Sequence, residues 1–254
     1  MSDPEALSPI ADLASPEPTS FQVQPIASIR SCYPQRFGIP RQAGLVPSAI
    51  AEIIFAPTDA NRLALRGIDA FSHLWIVFWL HGQNYAHFKP LVQPPILGGK
   101  KTMGVYATRS PNRPNPLGLS VVRLESVKFR ADELCLRVSG GDFLDATPVI
   151  DIKPYLPYVD AIATANNAWA EPQAPLPIQW CEAAVNALWQ SNCPEPEPMQ
   201  QLITETLAQD PRPAHERGKD GHPGQQWNLQ VANFSVFWIV EGGVAIVTEL
   251  AVSG

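Results

Sequence analysis

A chain of 254 residues with a hydrophobic fraction of 45% is long enough for one large or two modest domains around real apolar cores. Its longest uninterrupted apolar run is residues 74–80, whereas a bilayer-spanning helix takes roughly 20 residues, and four acids precede the first base, Arg30, the reverse of a secretory leader; an unexported, cytoplasmic protein without membrane spans is expected. The formal charge of −6 hides an asymmetry: residues 21–130 carry thirteen Lys and Arg against four Asp and Glu, a cluster suited to polyphosphate unless the acidic remainder neutralises it across an interface.

Residues 1–20 are rich in Pro, Ala, Ser and acids with no apolar period and read as a disordered tail. From there the 27 prolines, each fixing φ and removing a backbone donor, favour many short strands joined by stiff loops over long helices. Phe21, Val23 and Ile29 open a first strand segment. Residues 73–81 form a continuous apolar run between His73 and His81, as in a strand buried on both faces. Met103, Val105 and Ala107 alternate in another strand, and Leu134, Leu136 and Val138 in a third, after a turn at residues 130–133. Together they predict a closed or strongly curled sheet.

Residues 154–177 lack periodicity and read as a connecting arm. Beyond it, Ile178, Cys181, Val185 and Leu188 sit at helical spacing, as do Met199, Leu202, Ile203 and Leu207. Residues 226–240 and 244–252 read as two strands turned at Gly242 and Gly243. The expected fold is mainly β: a tail at 1–20, a β-barrel-like domain at 21–165, and a small α+β domain of two helices and a hairpin at 166–254.

Four polar clusters carry candidate chemistry. Residues 37–42 end in Arg41 and Gln42, restrained by Pro40. Residues 104–118 run from a strand into a loop stiffened by three prolines, which has little freedom left to lose on binding; Arg109 and Arg113 offer planar forks for carboxylate or phosphate, and Asn112 and Asn115 offer amides. In residues 139–155, Gly140 and Gly141 permit close backbone approach to a ligand and Asp142 accepts hydrogen bonds. Residues 207–218 present Arg212, His215 and Arg217 in an otherwise acidic half, either toward RNA phosphate or substrate carboxylate or paired with nearby acids. His73 and His81 have no third ligand, and Cys32, Cys135, Cys181 and Cys193 contain no CxxC, so no metal and no disulfide is expected. GxSxG, P-loop and GxGxxG patterns are absent, so a methyltransferase of this sequence is not of the Rossmann type.

Taken together, the segments FGIPRQAGLV, DAFSHLWIVFWLH, GVYATRSPNRPNPLGLS, DFLDATPVIDIKPYLP and LAQDPRPAHERG resemble, in order, those of the TrmO family, over about residues 21–250. The resemblance implies a β-barrel that binds S-adenosyl-L-methionine, a homodimer, and N6-methylation of threonylcarbamoyladenosine at position 37 in the anticodon loop of tRNA. By motif it implies cofactor contacts from Pro40, Arg41, Gln42, His81, Gly82, Arg109, Leu119, Ser139, Gly140, Gly141 and Asp142. Arg113, Arg212 and Arg217 are the candidate substrate-binding residues, with Asn115 or Asp142 to orient N6 or accept its proton. Two positions depart from the family pattern: Gly82, where relatives commonly have Gln, and Ala146, where they often have Gly. A non-catalytic RNA-binding protein that keeps a cofactor pocket, and a small-molecule methyltransferase, are the competing readings.

Overall fold

The structure, a computed structural model, describes residues 22–82 and 89–253. The reading of residues 1–20 as a tail lies outside the described residues, as do Phe21, Gln83 and His87. The elements run β1 (Ala27–Ser31), β2 (Ile50–Phe55), α1 (Asp59–Ala64), β3 (His73–Trp79), β4 (Leu91–Val92), β5 (Met103–Gly104), β6 (Leu117–Phe129), β7 (Leu134–Ser139), β8 (Thr147–Pro154) and α2 (Pro157–Asp160). They continue with β9 (Ile178–Trp180), α3 (Glu182–Gln190), α4 (Pro196–Ala208), β10 (Trp227–Val231), β11 (Phe234–Glu241) and β12 (Val244–Val252).

Alternation closes the first sheet. Ile29, Ile53, Leu74, Ile76, Leu136, Val138 and Val149 point to one side of their strands and are buried together. That single apolar face is satisfied by an antiparallel barrel in the order β1-β2-β7-β6-β3-β8, with β8 returning to β1. Register shifts at residues 124–126 of β6 and 77–78 of β3 bend the long strands as closure requires. Residues 73–79, read as buried on both faces, instead alternate: Leu74, Ile76 and Phe78 are buried and the other face is half-open. The strand stops at Trp79, which puts His81 beyond its end.

Two further expectations are corrected. Met103, Val105 and Ala107 are not one strand: β5 pairs briefly with β4, and residues 105–107 turn in a 3-10 helix that buries Val105. Three alternating residues are too few to separate a strand from a turn. In the C-terminal part, residues 226–240 split into β10 and β11 about Ala232, which takes a φ of 51°. The predicted hairpin is therefore three antiparallel strands, completed by β9 pairing parallel to β12. Ile178, expected in a helix, lies in β9; α3 begins after Cys181, whose sulfur accepts from the Ala184 amide as the N-cap.

The two cores share one stretch of chain. Between β1 and β2, residues 32–49 leave the barrel and lie on α4 and β11: Tyr33, Val46 and Ala49 are buried with Ile203, Leu207 and Trp238. The Tyr33 hydroxyl meets Thr206 Oγ1 at 3.1 Å, Ser48 donates from both N and Oγ to Glu205, and Phe37 stacks on Trp238. Residues of the second core thereby fix the loop that carries Arg41 and Gln42.

Ala146, at the corner leading into β8, has a φ of 61°, a left-handed conformation that costs a residue with a Cβ roughly 1–2 kcal/mol. Ala146→Gly is expected to raise stability by about 0.5–1 kcal/mol after the entropy of the added glycine is subtracted. Urea unfolding of the two proteins measures it, and no rise in midpoint would show the corner to be unstrained.

Candidate functional site

The end of β3, the start of β6, the turn between β7 and β8, the 32–49 loop and the Pro-rich loop after β5 enclose a cleft of about 820 Å³. That falls in the range of roughly 300–1,000 Å³ typical of small-molecule sites. Phe78, Leu80, Leu117, Leu119 and Val121 give it an apolar wall, with Leu119 58% exposed. Arg41, Gln42, His81, Arg109 and Asp142 supply its polar groups.

Asp142 is the one carboxylate among the described lining residues. Burial pushes its carboxyl above the usual range, a shift partly offset by the Ser120 hydroxyl, which donates to it at 2.6 Å, and by the charge of Arg109. A shielded carboxylate of this kind favours a cationic ligand beside it. His81 is held from two sides, Nε2 at 3.0 Å from the Asp145 carbonyl and Nδ1 at 3.2 Å from Thr147 Oγ1. A carbonyl only accepts, so Nε2 carries the hydrogen. Arg109 donates to Gln42 Oε1, tying the β5 loop to the 32–49 loop across the cleft.

A second, larger cleft of about 1,710 Å³ shares Arg41, Gln42, Thr108, Arg109, Ser110 and Pro111 with the first. Its other walls are residues 89–96, the arm at residues 166–177, and the loop following α4. Lys89, Arg41, Arg109 and Arg217 line it, beside Trp169 and Tyr106, the latter 73% exposed. Guanidinium and ammonium groups beside partly exposed aromatic rings suit a single-stranded nucleic acid.

Of the residues singled out from sequence, Pro40, Arg41, Gln42, His81, Arg109, Leu119 and Asp142 line the smaller cleft together. Arg113 lines it too, but its Nη1 donates to the carbonyls of Thr108 and Ser110 and its guanidinium lies 6.0 Å from the Tyr106 ring, so it braces its own loop. Ser139, Gly140, Gly141 and Gly82 are outside the lining. Ser139 donates to Glu125, and Gly140 clasps the 32–49 loop through its amide to Ala49 and its carbonyl from Gly44, so both position the turn that carries Asp142. Asn115 lines neither cleft.

Arg212 stands apart from the expectation that it meets substrate. It is 1% exposed, forks onto both carboxylate oxygens of Asp210 at 2.7 and 2.9 Å, and donates to the Lys219 carbonyl. A bidentate pair satisfies the guanidinium internally, so the residue sets the loop rather than facing a ligand. Arg217, from the same loop, lines the larger cleft. Among the described residues, no group of three His, Cys, Asp or Glu side chains is placed to hold a metal.

Sequence reasoning passed over Ser120, Thr147 and the arm. Ser120 and Thr147 are buried polar residues inside apolar strands, 3% and 2% exposed, and a hydroxyl interrupting a core face was the available signal. Residues 166–177, read only as a connector, form a wall of the larger cleft, where Gln173 Oε1 accepts from Arg41.

Comparison with known proteins gives the same outline. The profile of the tRNA-methyltransferase O N-terminal domain matches residues 28–161, and that of the TrmO C-terminal domain matches residues 173–253. The chain is 40% identical over 224 residues to a tRNA (adenine(37)-N6)-methyltransferase of Escherichia coli (strain K12), spanning 87% of this chain and 94% of that one. It is 41% identical over 220 residues to a putative S-adenosylmethionine-dependent methyltransferase, RcsF, of Pseudomonas aeruginosa, spanning 86% and 92%. Its fold is similar to the crystal structure of TrmO from Pseudomonas aeruginosa, with a TM-score of 0.73 at 35% identity over 92% of this chain and 100% of that one.

Proposed function

The chain belongs to the TrmO family of tRNA methyltransferases, and on that premise we propose that it methylates N6 of the adenosine at position 37 of tRNA from S-adenosylmethionine, the adenosine already bearing a threonylcarbamoyl group. One observation carries the reading. Arg41, His81, Arg109 and Asp142, nominated from four separate motifs, line one small-molecule cleft that shares a wall with a larger basic one. The barrel domain at residues 21–165 is assigned the cofactor, and residues 166–254 help shape the RNA side.

The smaller cleft fits the cofactor chemically: an apolar wall at Phe78, Leu117 and Leu119 for a purine, and a shielded carboxylate for a cation. Held there, S-adenosylmethionine would supply an electrophilic methyl carbon on a sulfonium, whose leaving group is a neutral thioether. Asp142, which lines this cleft and accepts from Ser120, is the group we assign as counter-charge to that cation and as acceptor of the proton that N6 releases. His81, Arg109 and Gln42 fix the pocket walls, and a rigid wall would let donor and acceptor align with little further reorganisation. Lys89, Arg109 and Tyr106 face the strand that presents the adenine. Two copies of the chain working in the cytoplasm complete the reading, and light scattering of the purified protein tests the pairing.

The test is incubation with labelled S-adenosylmethionine and tRNA with or without the threonylcarbamoyl group, followed by nucleoside mass spectrometry. Label is expected on the modified adenosine. Cofactor binding without transfer to any tRNA points to a non-catalytic RNA-binding protein, and transfer indifferent to tRNA points to a small-molecule enzyme.

A further inference from the structure

Three guanidiniums, those of Arg41, Arg212 and Arg217, gather around the single carboxylate of Asp210 at the wall of the larger cleft. That carboxylate is fully engaged by Arg212, Nε to Oδ1 at 2.7 Å and Nη2 to Oδ2 at 2.9 Å. Arg41 meets only neutral acceptors, the carbonyl of Asp210 at 3.0 Å and Gln173 Oε1 at 3.4 Å. Arg217 donates from Nε to the Arg212 carbonyl at 2.9 Å, while its Nη1 is shielded from solvent without any hydrogen-bond acceptor. No carboxylate among the described residues forms an ion pair with Arg41 or Arg217, although Glu171 also lines the cleft.

The cluster therefore carries two guanidinium charges in excess of its one carboxylate, in a partly buried place. Burial lowers the affinity of Arg41 and Arg217 for their protons, Arg41 to about 10, and neighbouring like charge lowers it further, from Arg217 onto Arg41 and from Arg212 onto Arg217. Asp210 adds local strain, holding a left-handed φ of 43° that a non-glycine residue keeps only when its surroundings enforce it. Like charges kept together, an orphaned donor and a strained backbone are together the signature of a site completed by an anion.

Arg217 lines only the larger cleft, whereas Arg41 lines both. The completing anion therefore belongs to the RNA side rather than to the cofactor. A backbone phosphate suits cations at an open rim; the shielded edge of Arg217 suits a planar group projecting from a base. We propose that Arg41 and Arg217 form a carboxylate-binding site that holds the acid group of the substituent on the target adenine, a proposal that rests on the reading of the larger cleft as the RNA site.

The test compares kcat/KM for tRNA carrying the free carboxylate with that for tRNA whose carboxylate has been converted to its methyl ester. The parent chain is expected to prefer the free acid. Arg217→Met is expected to cut that preference by about 10- to 100-fold, the worth of one or two charge-assisted hydrogen bonds. Arg217→Lys, which keeps the charge but loses the fork, is expected to fall between, and the affinity for S-adenosylmethionine by calorimetry is expected to stay unchanged in both. An equal loss on the two RNAs overturns the proposal in favour of a phosphate contact or a folding role, and a shift in cofactor affinity overturns it in favour of the methionyl carboxylate. Should the parent transfer methyl to both RNAs without preference, only this proposal falls; should it transfer to neither, the functional reading falls first.

Discussion

Asp142→Asn is expected to lower kcat by about 100-fold or more while leaving the protein at least as stable as the parent at neutral pH. Activity suffers because the amide neither balances a cation nor takes up a proton, although it keeps the acceptor that Ser120 uses. Stability moves the other way because burial holds the parent carboxyl above its unfolded value near 3.8. A raised folded-state value means that the group's contribution to stability is complete below the unfolded value and is lost as pH rises through the folded one. The asparagine has no such dependence, so the stability of the variant relative to the parent should grow from pH 4 toward neutral. Urea midpoints at pH 4.5 and 7.5, alongside single-turnover methyl transfer, measure both halves. Parental kcat in the variant would remove Asp142 from the chemistry, and a variant that loses ground as pH rises would contradict its burial as a carboxylate.

Much of the site was legible because its polar residues sit in proline-stiffened loops whose local chemistry does not depend on the rest of the fold. Pro40 beside Arg41, and the prolines around Arg113, mark such loops directly in the sequence. The barrel was legible where alternation was long enough, as in Leu134, Leu136 and Val138. The turn between β10 and β11 was not, because Ala232 takes the left-handed conformation where a glycine would have announced it. Nor was the burial of Arg212, since its pairing across Pro211 with Asp210 reads in sequence the same as two solvated loop charges. The packing of residues 32–49 on α4 was equally hidden: Tyr33 and Thr206 are 173 residues apart, and no local pattern encodes such a contact. What sequence periodicity misses is consistently the long-range part, including the arm that walls the larger cleft.

The floor of the smaller cleft yields the second large effect. Gly118 on β6 stands opposite Phe78 on β3, and a Cβ there would overlap the Phe78 ring. Phe78 is blocked on one side by Phe143, against which it packs edge-on with centroids 5.0 Å apart, and Phe143 in turn covers Gly141, where a Cβ would come within 2.5 Å of the ring. A strand glycine, Gly118, and a turn glycine, Gly141, thus hold a pair of rings between them; Phe78 over Gly118 is the arrangement in which an aromatic side chain covers a neighbouring strand's glycine. Gly118→Ala and Gly141→Ala are each expected to cost about 1–3 kcal/mol by overpacking and to tilt Phe78 into the space beside Leu119 and Asp142. Cofactor affinity should fall with stability in both variants, measured by calorimetry and urea unfolding. Because both substitutions press on the same two rings, the double variant should lose less than the sum of the singles, with a coupling of at least about 0.5 kcal/mol. Strict additivity would mean that the rings move independently, and that the cleft floor is not one packed unit.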